Sequence, residues 1–248
     1  MRLSYSRVET FKTCPYQFKL RYIDELKVKF NLDPANALVL GTAVHTGIEQ
    51  DIETAIKGYY DNYPSATELM INEAIKLEVM IEKARAKLPR GIYEFKLESE
   101  DFLGFIDLLV EVEKGVYDLY DFKYSNNVDN YLQSGQLHVY KYFFESLGHG
   151  RIRDMYFVFI PKIKEKQEEY EDLNDYRKRL IKACEESDIR VEKVDFDYKK
   201  VVEFLLDAKH CIECEDYQKN KNKLCYWCDY KKYCESNGEY TNNLIMEE

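Results

Sequence analysis

The sequence predicts an α/β protein with a mixed central sheet flanked by helices. This prediction comes from the order of its periodic segments: helical stretches come first, a run of strands follows, and helices then alternate with strands. The 248 residues can bury a substantial core, and no linker rich in Pro, Gly or Ser interrupts them. We therefore expect a single domain over residues 1–248.

Apolar residues spaced three and four apart predict the helices. Pro15 is expected to break or restart the first helix, because proline lacks the amide hydrogen that a helix interior uses. Many charges accompany the apolar residues of the third helix, which indicates a solvated face and a helical insertion over residues 60–90. The predicted helices are Ser6–Tyr22, Ala43–Tyr59, Thr67–Leu88, Val128–Ser146, Glu168–Glu186 and Tyr198–Tyr217.

Runs of aromatic and β-branched residues predict the strands. Gly115 marks a turn between the second and third strands, so the first three are expected to form a meander. Pro161 ends the fourth strand. The predicted strands are Ile92–Leu97, Phe102–Val112, Val116–Tyr124, Arg151–Ile160 and Arg190–Phe196.

The charge balance limits the classes of function. A net charge of −10 argues against a protein that coats nucleic acid nonspecifically, since such binding needs cations that neutralise phosphates. Both ends of the chain are nonetheless locally basic, which is consistent with a nucleic-acid channel and equally with an ordinary solvated surface. The residues concerned are Arg2, Arg7, Lys12, Lys19, Arg21, Lys27, Lys29, Lys219, Lys221, Lys223, Lys231 and Lys232.

The compartment follows from what the sequence lacks. No apolar run approaches the length of a membrane span, and the first residues lack the apolar core of a secretory signal. We therefore expect a cytoplasmic protein without membrane contact. In that reducing compartment, seven cysteines indicate metal ligation or free thiols more than disulfides.

Cysteines near the C-terminal end follow a metal-binding pattern. Cys225, Cys228 and Cys234 have the spacing C-x2-C-x5-C, and Cys14, near the other end of the chain, is the candidate fourth ligand. Soft thiolates at such spacings hold zinc or an iron–sulfur cluster. Either centre would tie the two ends of the chain together.

A second assignment of the cysteines uses an overlapping set. Cys211 and Cys214 with Cys225 and Cys228 have a spacing typical of a zinc ribbon. This zinc assignment leaves the N-terminal cysteine and the last cysteine of the motif without a role. The first assignment is therefore favoured, and zinc remains the alternative.

Charged residues interrupt two apolar strands in the middle of the chain. Asp121 and Lys123 alternate with Phe122, so the carboxylate and the ammonium are expected on one face and the ring on the other. Asp107 lies in the preceding strand among apolar residues, where a carboxylate needs a cationic partner. That partner is either a divalent cation, Mg2+ or Mn2+, or the lysine in an ordinary salt bridge.

Two helical segments supply further polar groups. His45 shares a predicted helical face with Ile48, Ile52 and Ile56, and it is either a core histidine or a nitrogen ligand beside the carboxylates. Gln136 and Tyr140 are four residues apart and can reach the same point from one helix. They either pack ordinarily or hydrogen-bond a phosphate or a metal-bound water.

In their order along the chain, these motifs resemble the RecB-like branch of the PD-(D/E)XK nucleases. The resemblance is strongest to its iron–sulfur members, which include the CRISPR-adaptation exonucleases. It covers almost the whole chain. The matching motifs are the opening helix with its C-P pair, then G-x-x-x-H, G-F-I-D, D-F-K, Q-x-x-x-Y and C-x2-C-x5-C.

The resemblance implies a restriction-endonuclease-like core and a metal-dependent exonuclease that hydrolyses DNA, at single-stranded or other free ends. It implies a [4Fe–4S] cluster in a region formed by residues 1–30 and 218–240. It also implies recombination, repair, phage DNA processing or CRISPR adaptation as the setting. The residues assigned by the resemblance are Asp107, Asp121 and Lys123 for catalysis; His45, Asp107, Asp121 and the Phe122 carbonyl for Mg2+ or Mn2+; Cys14, Cys225, Cys228 and Cys234 for the cluster; and Gln136 and Tyr140 for the substrate channel.

Two other classes of function stay open at the level of sequence. One is a nucleic-acid-binding module that has lost catalysis. The other is a structural iron–sulfur or zinc scaffold in which the Asp/Lys pair is a buried ion pair. The acidic composition adds the hypothesis that a protein partner, in a recombination or adaptation complex, recruits the DNA.

Overall fold

A computed structural model describes residues 2–245 and divides them into two compact units. Unit 1 comprises residues 2–31, 98–104 and 198–245, and unit 2 comprises residues 32–97 and 105–197. The helices are α1 Tyr5–Thr13, α2 Pro15–Phe18, α3 Ala37–Glu49, α4 Ile52–Tyr60, α5 Glu68–Lys87, α6 Val128–Leu132, α7 Gln136–Ser146, α8 Leu173–Glu186, α9 Tyr198–Glu213 and α10 Lys231–Glu235, with a π-helix at Lys19–Ile23 and a 3-10 helix at Lys223–Trp227. The strands are β1 Lys27–Val28, β2 Ile92–Glu98, β3 Leu103–Glu113, β4 Val116–Tyr124, β5 Arg151–Ile160, β6 Arg190–Val194 and β7 Leu244–Ile245.

The central sheet has the order β2-β3-β4-β5-β6, so the first three strands are neighbours as the predicted meander requires. β3 and β4 are antiparallel, β4 and β5 are parallel, and β5 and β6 are antiparallel. A parallel pair needs a crossover connection, and α6 with α7 supplies it between β4 and β5. The mixed sheet with its helices confirms the predicted fold class.

Helices α3, α4 and α5 share the main core of unit 2 with the sheet. Phe122 of β4 and Val158 of β5 lie in one buried cluster with Val44 of α3 and Leu77 of α5. Burial of such side chains contributes about 1.5–3 kcal/mol each. This packing fixes β4, and with it every side chain on the opposite face of that strand. None of the helices within residues 2–245 is both long and apolar enough to cross a bilayer.

Two segments that were each predicted as one continuous helix form two helices in the structure. The Ala43–Tyr59 prediction merges α3 and α4, which separate where Asp51 accepts the N–H of Thr54 at 2.7 Å and caps α4. The Val128–Ser146 prediction merges α6 and α7, which are separated by residues 133–135. The Asp51 side chain competes for backbone hydrogen bonds at the first break, and the spacing of apolar residues does not reveal that competition.

The opening helix restarts at proline as expected. α1 ends at Thr13, Cys14 is extended with φ −160° and ψ 106°, and Pro15 occupies the first position of α2. Proline is tolerated there because the first N–H of a helix has no partner inside the helix. Cys14 is thereby held between two short helices.

Other observed helix ends differ from the predicted ends by a few residues. α8 begins at Leu173 and not at Glu168, because Asp172 accepts the N–H of Asn174 at 2.8 Å and caps the helix. α9 ends at Glu213, before the predicted end at Tyr217. The sequence did not predict the short strands β1 and β7, which are too short for a periodicity.

Segments near the two ends of the described chain meet in unit 1. β1 pairs with β7, with Lys27 opposite Ile245. The phenol of Tyr230 donates to the carbonyl of Leu26 at 2.7 Å and lies in a small buried cluster with Leu20. These protein contacts connect the opening helices to the cysteine-rich segment.

The close packing of α3 on α5 yields a testable prediction. A Cβ added to Gly47 would lie 2.5 Å from Cδ1 and 2.8 Å from Cγ2 of Ile81. Gly47→Ala should therefore lower the free energy of unfolding by about 1–3 kcal/mol through overpacking, measured by urea denaturation. Gly58→Ala in α4 is the matched control, because nothing lies within 4 Å of its Cβ position. It should raise stability by about 0.5–1 kcal/mol, and equal effects of the two changes would contradict the packing argument.

Candidate functional site

β4 presents two charged side chains on the face opposite its core residue, as the alternation predicts. Phe122 is buried in the core. On the other face, the Asp121 carboxylate forms an ion pair with the Lys123 ammonium. The side chains of Asp121 and Lys123 are only 2% and 15% exposed, so the pair has largely lost its contact with water.

The side chain of Asp107 is hydrogen-bonded to the backbone of β4. The ladder between β3 and β4 runs from Glu113 opposite Val116 to Leu108 opposite Tyr120. One residue further along β3, Oδ2 of Asp107 accepts the N–H of Phe122 at 2.6 Å. A hydrogen bond from a backbone N–H to a carboxylate is among the strong ones, so it fixes this side chain beside the Asp/Lys pair.

His45 of α3 approaches the same carboxylate from the other side. Its Nδ1 lies 3.4 Å from Oδ1 of Asp107, and its side chain is 32% exposed. Burial alone would lower the pKa of His45, but the hydrogen bond and charge of Asp107 outweigh it and raise the pKa. The predicted face shared with Ile52 and Ile56 was wrong, because those residues lie on α4 and not on α3.

A line of hydrogen bonds runs from the lysine into α7. Nζ of Lys123 donates to Oε1 of Gln136 at 2.9 Å, and Nε2 of Gln136 donates to the phenol oxygen of Tyr140 at 3.1 Å. The four-residue spacing therefore brings the amide and the phenol together as expected. The amide is bound to the ammonium of Lys123, which the sequence did not predict.

Aromatic rings, also missed at the sequence level, surround the lysine. The Lys123 ammonium lies 5.2 Å from the ring centroid of Tyr131 and 5.7 Å from that of Phe157. Such contacts attract a cation to the ring face. Tyr131 belongs to α6 and Phe157 to β5, and no spacing in the sequence relates either residue to the lysine.

The electrostatics of the site follow from its burial. Burial raises the pKa of Asp121, the charge of Lys123 opposes this, and the charge of Asp107 adds to it, so that the pKa is about 6. Burial would lower the pKa of Lys123, but the two carboxylates outweigh burial and raise it. Burial, followed by the charge of Asp121, raises the pKa of Tyr140. The lysine therefore stays an ammonium and the tyrosine a neutral phenol, next to carboxylates that attract a further cation.

The donor set fits a hard divalent cation in its chemistry. Oδ2 of Asp121 is buried and, apart from the Lys123 ion pair, accepts no hydrogen bond from any residue in 2–245. Carboxylate oxygens and an imidazole nitrogen are ligands that Mg2+ and Mn2+ accept. Across the same residues, no group of three or more His, Cys, Asp or Glu side chains is arranged to hold a metal ion. The donors are thus present without a closed ligand shell.

A second feature lies within unit 1, where cysteines line a cavity of about 330 Å3. The N–H of Asn220 points at Sγ of Cys14 at 3.5 Å, and the N–H of Asn222 points at Sγ of Cys225 at 3.4 Å. Hydrogen bonds to sulfur are one of the ways a protein tunes a thiolate-held cluster. The cysteines that line this cavity are Cys14, Cys225, Cys228 and Cys234.

The other cysteines lie elsewhere. Cys211 is buried on α9, where burial raises its pKa to about 11. Sγ of Cys214 lies 3.4 Å from the carbonyl oxygen of Asp216. Neither lines the cavity, so the zinc-ribbon set is not brought together there. Cys184 is buried in the core of unit 2.

Another buried carboxylate on β4, that of Asp118, has a structural partner that accounts for its burial. Asp118 is 4% exposed and receives two hydrogen bonds from Arg153, at 2.9 Å to Oδ1 and 2.6 Å to Oδ2. This bidentate pair satisfies the carboxylate completely. Burial of an Asp on this strand is therefore not in itself a sign of catalysis.

Comparison with known proteins identifies the class. Residues 2–235 match the family model of the PD-(D/E)XK nuclease superfamily, and the chain belongs to that superfamily. The chain is similar over its full length to the crystal structure of a candidate exonuclease from Eubacterium rectale, with 12% identity, 90% of that chain covered and a TM-score of 0.59. The crystal structure of SSO0001 is similar over 95% of this chain and 86% of that chain, with 11% identity and a TM-score of 0.43. A comparison with curated proteins found no match.

Proposed function

We propose that this protein is a Mg2+- or Mn2+-dependent deoxyribonuclease that degrades DNA from free single-stranded ends. The observation that carries the proposal is the group formed by Asp107, Asp121 and Lys123 on adjacent strands of a PD-(D/E)XK nuclease fold. Membership of the superfamily supports nuclease chemistry and nucleic-acid binding. The preference for single-stranded ends, and a setting in recombination, repair, phage DNA processing or CRISPR adaptation, rest on the motif resemblance.

The cation would be held by His45, Asp107, Asp121 and the carbonyl of Phe122. When bound, a divalent cation lowers the pKa of a water molecule and neutralises charge on the scissile phosphate. The backbone N–H of Phe122 positions Asp107, and the buried Asp121 contributes Oδ2, which is paired with the ammonium of Lys123.

Lys123 would stabilise the negative charge that develops on the phosphate in the transition state. It is suited to this role because the neighbouring carboxylates keep it protonated despite its burial. Gln136 holds its ammonium at 2.9 Å, and Tyr140 in turn accepts from the amide, so both residues orient the lysine. The same pair would border the DNA in the substrate channel.

We also propose a [4Fe–4S] cluster on Cys14, Cys225, Cys228 and Cys234. These four cysteines line one cavity of about 330 Å3, whereas Cys211 and Cys214 of the zinc-ribbon set do not line it. This shared lining supports the set that includes Cys14 over the zinc-ribbon set, and the choice of iron–sulfur as the centre rests on the motif resemblance.

The test of the function compares linear with circular DNA. We expect the purified full-length protein to degrade end-labelled linear single-stranded DNA with Mg2+ or Mn2+, to spare a circle of the same sequence, and to lose activity in EDTA. Cleavage of the circle would show that the protein is an endonuclease and not an exonuclease. Absence of cleavage by protein with its iron intact would favour a binding module or a scaffold, or a dependence on a protein partner.

A further inference from the structure

The chain exposes its single tryptophan. Trp227 is 72% exposed and the preceding Tyr226 is 74% exposed. Their ring centroids lie 5.0 Å apart with an interplanar angle of 77°. Aromatic rings are among the side chains that gain most from burial, so two exposed neighbours mark a surface that contacts another molecule.

The chain around this pair is basic. Between residues 219 and 232 it carries five lysines and a single aspartate. Nζ of Lys231 lies 5.5 Å from the ring centroid of Tyr226. Lys221 and Lys223 are exposed, and neither forms an ion pair with a carboxylate in the described chain. Two cations without a partner beside two exposed rings favour a polyanion with aromatic parts over an apolar protein surface.

The aromatic pair is presented on an anchored turn. Oδ1 of Asn222 accepts the N–H of Leu224 at 2.8 Å and caps the 3-10 helix, while Nδ2 of Asn222 donates to the carbonyl of Thr13 at 3.0 Å. Cys225, on the same turn, lines the cysteine cavity. A ring held on a fixed turn loses little freedom when another ring stacks on it, which favours binding.

We propose that Tyr226 and Trp227, together with Lys221 and Lys223, bind single-stranded DNA. Unpaired bases stack on the two rings, and the lysines contact the phosphates. Bases of a duplex are already stacked on one another, so the rings select single strands. The choice of DNA as the ligand rests on the proposed function, but the surface is defined by residues of unit 1 alone.

Fluorescence offers a direct test because Trp227 is the sole tryptophan. We would titrate an Asp121→Ala variant, which binds without cutting, with oligothymidylate of about 16 nucleotides, the upper site size of a single-strand-binding module. The expected result is saturable quenching of tryptophan emission. Trp227→Ala should weaken binding of the labelled oligonucleotide about tenfold, measured by anisotropy, since stacking of one base contributes about 1.4 kcal/mol.

One variant serves as a control, and a double variant tests the two lysines. Tyr170 is 93% exposed but follows Glu168 and Glu169, so Tyr170→Ala should leave the affinity unchanged. A double change of Lys221 and Lys223 to alanine should reduce the salt slope of log K by about 1.4, as expected for two phosphate contacts on a single strand.

The outcomes separate this surface from the nuclease proposal. Unchanged tryptophan emission in the titration of Asp121→Ala, together with unchanged affinity in Trp227→Ala and intact DNA cleavage by the wild type, would overturn the surface alone. Equal quenching by duplex DNA would overturn its selectivity for single strands. A surface built for a protein partner would give no quenching with either DNA, which also overturns the proposal. Quenching in the Asp121→Ala variant, without any DNA cleavage by the wild type, would support the surface and count against the nuclease.

Discussion

Asp121→Asn should lower the rate of metal-dependent DNA cleavage by about 10²–10³-fold, the effect of removing one preorganised electrostatic group from a catalytic site. The amide keeps the shape of the side chain but removes the charge that attracts the cation. The change also removes the repulsion between Asp121 and Asp107, and Lys123 keeps the charge of Asp107 and its hydrogen bond to Gln136. We therefore expect the variant to remain folded, as measured by circular dichroism alongside single-turnover cleavage.

Lys123→Met should lower the rate to a similar extent, but with a different effect on stability. It leaves Asp121 buried without its counter-ion, and breaking a buried pair in this way costs about 3–5 kcal/mol. The double variant Asp121→Asn/Lys123→Met should recover part of that stability and lose no more activity than either single change, because residues that act as a unit are not additive.

Asp118→Asn is the matched control for the change at Asp121. Both carboxylates lie on β4, both are buried and both pair with a cation, Arg153 in the case of Asp118. We expect this control to lower the melting temperature without slowing cleavage. Equal loss of activity in the two variants, or unfolding of Asp121→Asn, would mean that the Asp/Lys pair is structural and would favour the scaffold alternative.

The sequence predicted strand β4 of the candidate site well because a strand has a period of two residues. A strand cannot place Asp121 and Lys123 together without sending Phe122 to the opposite face. Since four apolar residues flank Asp107 in its own strand, its need for a partner was also visible in the sequence. The identity of that partner was not, because the hydrogen bond from the N–H of Phe122 depends on the register of β3 against β4.

Helical surroundings of the site were harder to predict. Apolar spacing indicates that a helix exists but does not show where a capping side chain interrupts it, as Asp51 does. The spacing of Gln136 and Tyr140 correctly placed the two side chains together, yet the break before α7 makes Gln136 the first residue of that helix. Contacts between distant elements, such as that of Tyr131 with Lys123, have no signal in a single sequence.

In the cysteine-rich region, one part of the candidate site was predictable from local spacing and another part was not. The C-x2-C-x5-C spacing predicted that nearby thiols could share a centre, because two residues between ligands allow convergence. Recruitment of Cys14 from the other end of the chain required the resemblance. In the structure, the pairing of β1 with β7 and the hydrogen bond from Tyr230 to Leu26 bring the two segments together. The side-chain amides of Asn220 and Asn222 add hydrogen bonds to the carbonyl of Thr13. The proposed cluster would add metal–thiolate bonds between the same two segments.

Cys14→Ala should therefore lose most of its iron and unfold at a lower temperature than the wild type. A cluster that joins Cys14 to Cys225 closes a loop of roughly 200 residues, and constraining a loop of that size is comparable to a disulfide, at about 2–5 kcal/mol. The measurements are iron and acid-labile sulfide per protein chain, with thermal melting followed by circular dichroism. Loss of iron without any change in melting would show that the protein contacts alone hold the region.

Cys211→Ala is the variant that separates the two metal assignments. Cys211 is buried on α9 and does not line the cysteine cavity, so its removal should leave iron and sulfide unchanged and lower stability only through the lost packing of a small side chain. If the zinc ribbon were correct, Cys211→Ala would lose the metal and Cys14→Ala would keep it. The two substitutions therefore make opposite predictions, and a metal analysis of the pair decides between a centre that joins the two ends of the chain and one confined to the C-terminal segment.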